Sequence, residues 1–268
     1  MPRLTHKEVL MSNYDRNAYV PYGQTATQAQ IDQGLRSFML GVYNNMVLGL
    51  AITGLVALGL FMLSVTKDPA LAAGKLKNGM MLTQFGATLY TSPLKWLVML
   101  APLGVVMFLS FKISSMSASA ARGTFWLYSA LVGASLATIL FVFTHASVAR
   151  VFFITAASFG ALSLYGYTTK KDLSGMGSFL IMGLFGLIIA SLVNLFLGST
   201  ALQFAISVIG VLIFAGLTAY DTQNIKEMYY ESLGHEQAEK LSIYGALQLY
   251  MDFIGMFQML MSLLGNRE

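Results

Sequence analysis

Between Asp68 and Asp172 the chain carries no acidic residue, and that hundred-residue stretch is almost unbroken apolar sequence. A soluble domain cannot be built on such a pattern, because its surface needs charge: about a quarter of the residues in ordinary globular proteins are Asp, Glu, Lys or Arg. Here the charged share is 10% and the hydrophobic share 56% over 268 residues. Crossing a bilayer takes about 20 consecutive apolar residues in a helix. Seven runs meet that length: Phe38–Val65, Leu94–Ile113, Thr124–Phe143, Val148–Thr168, Gly175–Leu197, a run from about Gln203 to Asp221, and Ser242–Leu264. The expected fold is an all-α integral membrane protein with seven transmembrane helices.

Two units follow: a polar N-terminal tail, residues 1–35, and a seven-helix transmembrane domain, residues 36–268. The tail ends in TATQAQIDQGLRSF, which has the makings of a helix on the membrane surface. The thirty-residue connector after the first run includes Gly79–Tyr90, mildly apolar and suited to the interface. Pro102 and Gly104 predict a kink in the second run. With the N-terminus in the cytoplasm, ten basic residues fall on that side and six on the other, four of those in the long connector. The short outer turns hold almost none. The bias of Lys and Arg toward cytoplasmic loops therefore predicts a cytoplasmic N-terminus and an outer C-terminus.

Several function classes drop out. With no cysteine there is no disulfide, thiolate metal site or cysteine nucleophile. No two histidines have metal-ligand spacing, no HExxH occurs, and no serine lies in a GxSxG elbow. His145 and His235 read as solvated or interfacial. No enzyme and no cofactor is expected. The net charge of +4 sits at the ends of the runs rather than in a patch, which argues against nucleic acid as a partner and for the lipid bilayer. The seventeen methionines are scattered, as packing residues are. Gly183, Gly186 and Gly210 are expected to let helices approach closely, and Asn194 and Gln258 to bond between them.

Two carboxylates remain to be explained. Asp252 lies near the middle of SIYGALQLYMDFIGMFQMLMSLL, where a charge costs at least a few kcal/mol and faces lipid only rarely. Asp221 closes LQFAISVIGVLIFAGLTAYD. Gly245, Gln248, Asp252 and Gly255 form one stripe at helical spacing. Gln203, Ser207, Gly210, Thr218 and Asp221 form a similar one on the preceding run. Facing stripes would bring the carboxylates together, provided the sixth helix runs past Asp221 or the seventh starts before Ser242. Two such groups in contact cannot both ionise easily and should share a proton as a coupled pair. The plainer alternatives are a solvated Asp221 paired with Lys226, and an Asp252 hydrogen-bonded to Gln248. Gln223 and Gln248 are candidate supporting groups, and Lys112 is one by position alone. A hard cation favours oxygen ligands, which makes Asp221 and Asp252 the candidate ligands for Ca²⁺.

The segments GLTAYDTQNIK and LQLYMDFIGMFQMLMSLLG resemble the last two membrane segments of the transmembrane Bax inhibitor motif family, whose bacterial members lie in the inner membrane. TTKKDLSGMGSFLIMGLFGLIIASLVNLF resembles its fifth segment and the basic turn before it. The similarity covers about Phe38–Gly265. It implies seven helices, the first six wrapped around the last, and a pH-dependent calcium leak gated by an aspartate pair. By motif that pair is Asp221 and Asp252. Some bacterial relatives carry a glutamate in the second helix and an arginine cluster at its end; here Leu94–Ile113 has no acid and its end offers only Lys112. The competing class is a non-conducting interaction protein that restrains a membrane protease or stress machinery.

Overall fold

A computed structural model describes residues 22–76, 78–230 and 234–267. Among the described residues eight α-helices carry the fold: α1 Tyr22–Ser64, α2 Gln84–Thr91, α3 Leu94–Lys112, α4 Ala118–Leu136, α5 His145–Thr168, α6 Ser174–Leu197, α7 Thr200–Glu227 and α8 His235–Leu264. All but α2 are long and apolar enough to span a membrane, as the seven runs predicted. Residues 22–35 are not a separate surface helix but the start of α1, continuous with the first span. The rest of the expected tail lies outside the described residues.

Short side chains set half of the helix starts. Thr83, Ser117, Thr144 and Ser199 each accept a hydrogen bond from a backbone N–H of the first turn, satisfying a donor that the helix itself leaves free. Gly198 ends α6 with φ of 61°, a left-handed conformation that a residue without Cβ adopts at no cost. The third span loosens into a 3₁₀ segment, Ala137–Phe141, before the turn into α5.

The connector after α1 is more ordered than the sequence suggests. Strands β1 (Val65–Thr66), β2 (Gly74–Lys75) and β3 (Met81–Leu82) form an antiparallel sheet in the order β1-β3-β2, leading into α2. Phe61, Leu82, Leu140 and Phe141 bury a small core beneath it. The chain's end is pinned nearby: the Asn266 N–H donates to Ser147 Oγ at 2.9 Å, and the Thr144 N–H to the Asn266 carbonyl at 3.0 Å.

The main core belongs to α8. Ile243, Ala246, Leu247, Leu249, Tyr250, Phe253 and Met256 are almost fully enclosed, as are Ala121 and Phe125 of α4. Helices α1, α4, α5 and α7 pack directly on it. Helices α3 and α6 lie further out, packed chiefly on α4 and α7, so the arrangement is less even than six helices wrapped around one. At one junction Tyr250 Oη lies 2.6 Å from Thr53 Oγ1, and Thr53 also bonds the Ser129 carbonyl, joining α8, α1 and α4.

Candidate functional site

The carboxyl pair sits between α7 and α8, and glycines set the register there. A Cβ added at Gly245 would lie 2.9 Å from Ile225, and one at Gly210 would lie 2.8 Å from Met259; Gly255 is pressed against Phe214. These contacts are the facing stripes in three dimensions. They put Asp221 level with Gln248, one helical turn from Asp252. Side chains lean toward the N-terminus of their own helix, and the two helices run antiparallel, so Asp221 and Asp252 lean toward each other. Their carboxyl groups lie close enough for one to hydrogen-bond the other when it is protonated. Both conditions for that meeting hold: α7 continues to Glu227 and α8 begins at His235.

Asp252 is 4% exposed, and Asp221 is half-buried. Among the described residues no N–H or O–H donor reaches Asp252 Oδ2. A buried carboxylate oxygen without a donor is costly. Two carboxylates facing each other supply a donor only when one is protonated, so a single proton between Asp221 and Asp252 satisfies the site. Gln248 Oε1, one turn away on α8, is likewise buried without a partner. It makes no hydrogen bond to Asp252.

The other expected partners go elsewhere. Lys226 donates from Nζ to the Tyr167 carbonyl at 2.9 Å and lies over the Tyr167 ring, leaving Asp221 unpaired by it. Gln223 is buried and structural: its Nε2 donates to the Lys171 carbonyl and its Oε1 accepts from the Leu173 N–H, each at 2.8 Å, so it staples the α5–α6 turn to α7. Lys112 is exposed at the end of α3 and makes no ion pair among the described residues. Arg122 instead pairs with Glu239 near the start of α8. Among the described residues no group of three or more His, Asp or Glu is placed to hold a metal ion.

A hydroxyl chain escaped the sequence reading. Thr222 donates to the Thr218 carbonyl at 2.7 Å, which uses its only proton. Ser163 must therefore donate to Thr222, 2.9 Å away, and Tyr43 to Ser163, 2.8 Å away. The chain straps α1, α5 and α7 together beside the carboxyl pair, and it ends on a carbonyl without reaching Asp221. Its members lie 120 and 59 positions apart, so no local pattern announces them. The predicted close-packing glycines divide: Gly210 and Gly183 meet neighbouring helices, whereas Gly186 faces open space. Asn194 bonds Gln203 on α7, and Gln258 is exposed.

A seven-span bundle whose last two helices enclose a carboxyl pair is a polytopic membrane protein with an intramembrane acid site. Residues 35–268 match the profile of the family described as inhibitor of apoptosis-promoting Bax1. An uncharacterized protein of Rickettsia prowazekii is 45% identical over 244 residues, 91% of this chain and 95% of that protein. A protein of Caulobacter vibrioides is 43% identical over 96% of this chain and 100% of its own length. The Escherichia coli inner membrane protein YbhL is 42% identical over 88% of this chain and 94% of its own. The chain belongs to the Bax inhibitor-1 family.

Proposed function

We propose that this protein is a pH-sensitive calcium leak path of a bacterial inner membrane, with the Asp221–Asp252 pair as its gate. The observation that carries the reading is the approach of two carboxyl groups inside the bundle, one of them with a buried oxygen that has no hydrogen-bond partner unless the pair carries a proton. With one proton in place, α7 and α8 are tied together. Without it, two like charges face each other where the dielectric is low. Separation of the helices, water entry or a bound cation relieves that repulsion. Protons and Ca²⁺ then bias opposite states of one two-state element. Calcium is cargo in this scheme, coordinated in passing by Asp221 and Asp252.

The inner-membrane assignment leans on the likeness to the inner membrane protein YbhL, and the cytoplasmic N-terminus on the excess of Lys and Arg in the loops on that side. Reporter fusions after Lys171 and at the C-terminus should report opposite sides of the membrane; the same side for both would remove this orientation. For the leak itself, the purified protein in liposomes loaded with a calcium indicator should pass Ca²⁺ faster than empty liposomes. A protein that passes none at any pH would instead be a binding module acting on other membrane proteins.

A further inference from the structure

A wide recess lies away from the carboxyl pair. It is a groove of about 1070 Å³ on the flank of the bundle, between α1 and α5, and neither aspartate lines it. Its polar residues gather at one end, where Arg36, Tyr43, Ser163 and Tyr167 lie; the rest is apolar through Leu50, Gly54, Leu58 and Phe152. The Tyr43 and Ser163 hydroxyls are already satisfied within the strap, which leaves Arg36 and the Tyr167 hydroxyl as the open polar groups of this end. Arg36 is exposed and makes no ion pair among residues 33–76, 78–230 and 234–267. More positive charge surrounds the same end. Lys226 is held behind Tyr167 with two of its three ammonium donors unassigned, and Lys170 and Lys171 are exposed on the turn that follows α5.

Both walls of the groove are membrane spans, so what faces it is the bilayer. From Arg36 to Leu58 it runs about 33 Å along α1, at about 1.5 Å per residue, comparable with the hydrocarbon thickness and more than one leaflet's acyl chain needs. A second copy of the chain fits poorly. Copies in one membrane share an orientation, and a two-fold contact here would set Arg36 and the lysines of one against those of the other. A ligand with an apolar chain and a negative head at one end matches the groove in shape and in charge.

We propose that the α1–α5 groove is a binding site for one anionic phospholipid, its acyl chain along α1 and α5 and its phosphate at Arg36. A cation beside an anionic headgroup is worth about 1 kcal/mol, close to fivefold in affinity. The test is native mass spectrometry of the purified full-length protein in detergent, with equimolar phosphatidylglycerol and phosphatidylcholine of identical chains. The wild type should retain one phosphatidylglycerol per copy in preference to phosphatidylcholine. Arg36→Gln should lower that preference about fivefold, and Arg36→Lys should largely keep it. At Gly160, on the α5 wall, an added Cβ meets nothing within 4 Å. Gly160→Trp should put bulk into the groove and reduce retention of both lipids. Equal retention of the two lipids by the wild type, or a preference unchanged in Arg36→Gln, overturns the headgroup assignment. Undiminished lipid on a folded Gly160→Trp variant, or a lipid-free dimer as the dominant species, overturns the groove as the site. If Gly160→Trp fails to fold, the Arg36 series decides by itself.

Discussion

Gly166 is the position where one methyl group should do the most damage. It faces α7 from α5, and a Cβ there would lie 2.9 Å from the Ala219 carbonyl carbon and 3.0 Å from its Cα, closer still to the oxygen. These are backbone atoms, which cannot rotate away as a side chain would. Ordinary contact begins at 3.4 Å, so Gly166→Ala must force α5 and α7 apart by about half an ångström or more, and forced overpacking of this kind costs about 1–3 kcal/mol. The displaced helix carries Asp221 two residues further on, so the carboxyl pair should be disturbed as well. Gly160→Ala, on the same helix but facing open space, is the matched control and should stay within about 0.5 kcal/mol of wild type. Reversible unfolding in mixed micelles with increasing dodecyl sulfate reads both. Equal stability of the two variants would refute the claim that α5 and α7 meet backbone to backbone at this point.

Gln223→Ala should cost about 2–4 kcal/mol in the same assay, because it strands both the Lys171 carbonyl and the Leu173 N–H. Thr53→Val should cost about 0.6 kcal/mol and no more than about 1.7, the mean and the largest value for hydrogen bonds between membrane helices, through loss of the Tyr250 and Ser129 contacts. Asp172, in the exposed turn before α6, is held below the usual carboxylate range by hydrogen bonds from the Ser174 side chain and N–H. A depressed value means its stabilising effect is present above the unfolded value of about 3.9 and fades as pH falls through the folded one. An NMR titration of Asp172 should find it low in the wild type and closer to the ordinary value in Ser174→Ala.

The spans were legible because apolar length is a property of a single run, readable without knowing its neighbours. Phe38–Val65 and Ser242–Leu264 were placed to within a few residues at their apolar ends, and the error fell at the polar ends. Helix α1 begins at Tyr22 and α8 at His235, since nothing in those polar turns breaks a helix. The carboxyl pair was legible for a related reason: the stripes through Asp221 and Asp252 lie on consecutive helices, so a hairpin brings them face to face. Where contacts depend on the order of packing, local pattern says nothing. Gln223 sits two residues from Asp221 and looks like its companion, yet it reaches the α5–α6 turn. Lys112 looked available by position and is exposed, while Arg122 finds Glu239 more than a hundred residues away. The three strands of the connector are two residues each, too short for any alternation to register.

The gate is tested most directly by Ca²⁺ flux through wild type, Asp221→Asn and Asp252→Asn in proteoliposomes, measured across a pH series with each variant shown to be folded. An amide keeps the shape of the carboxyl group but cannot take up or release the shared proton. Each variant should therefore show a flux that varies far less with pH than that of the wild type. If both variants retain the wild-type pH profile, the pair is not the gate.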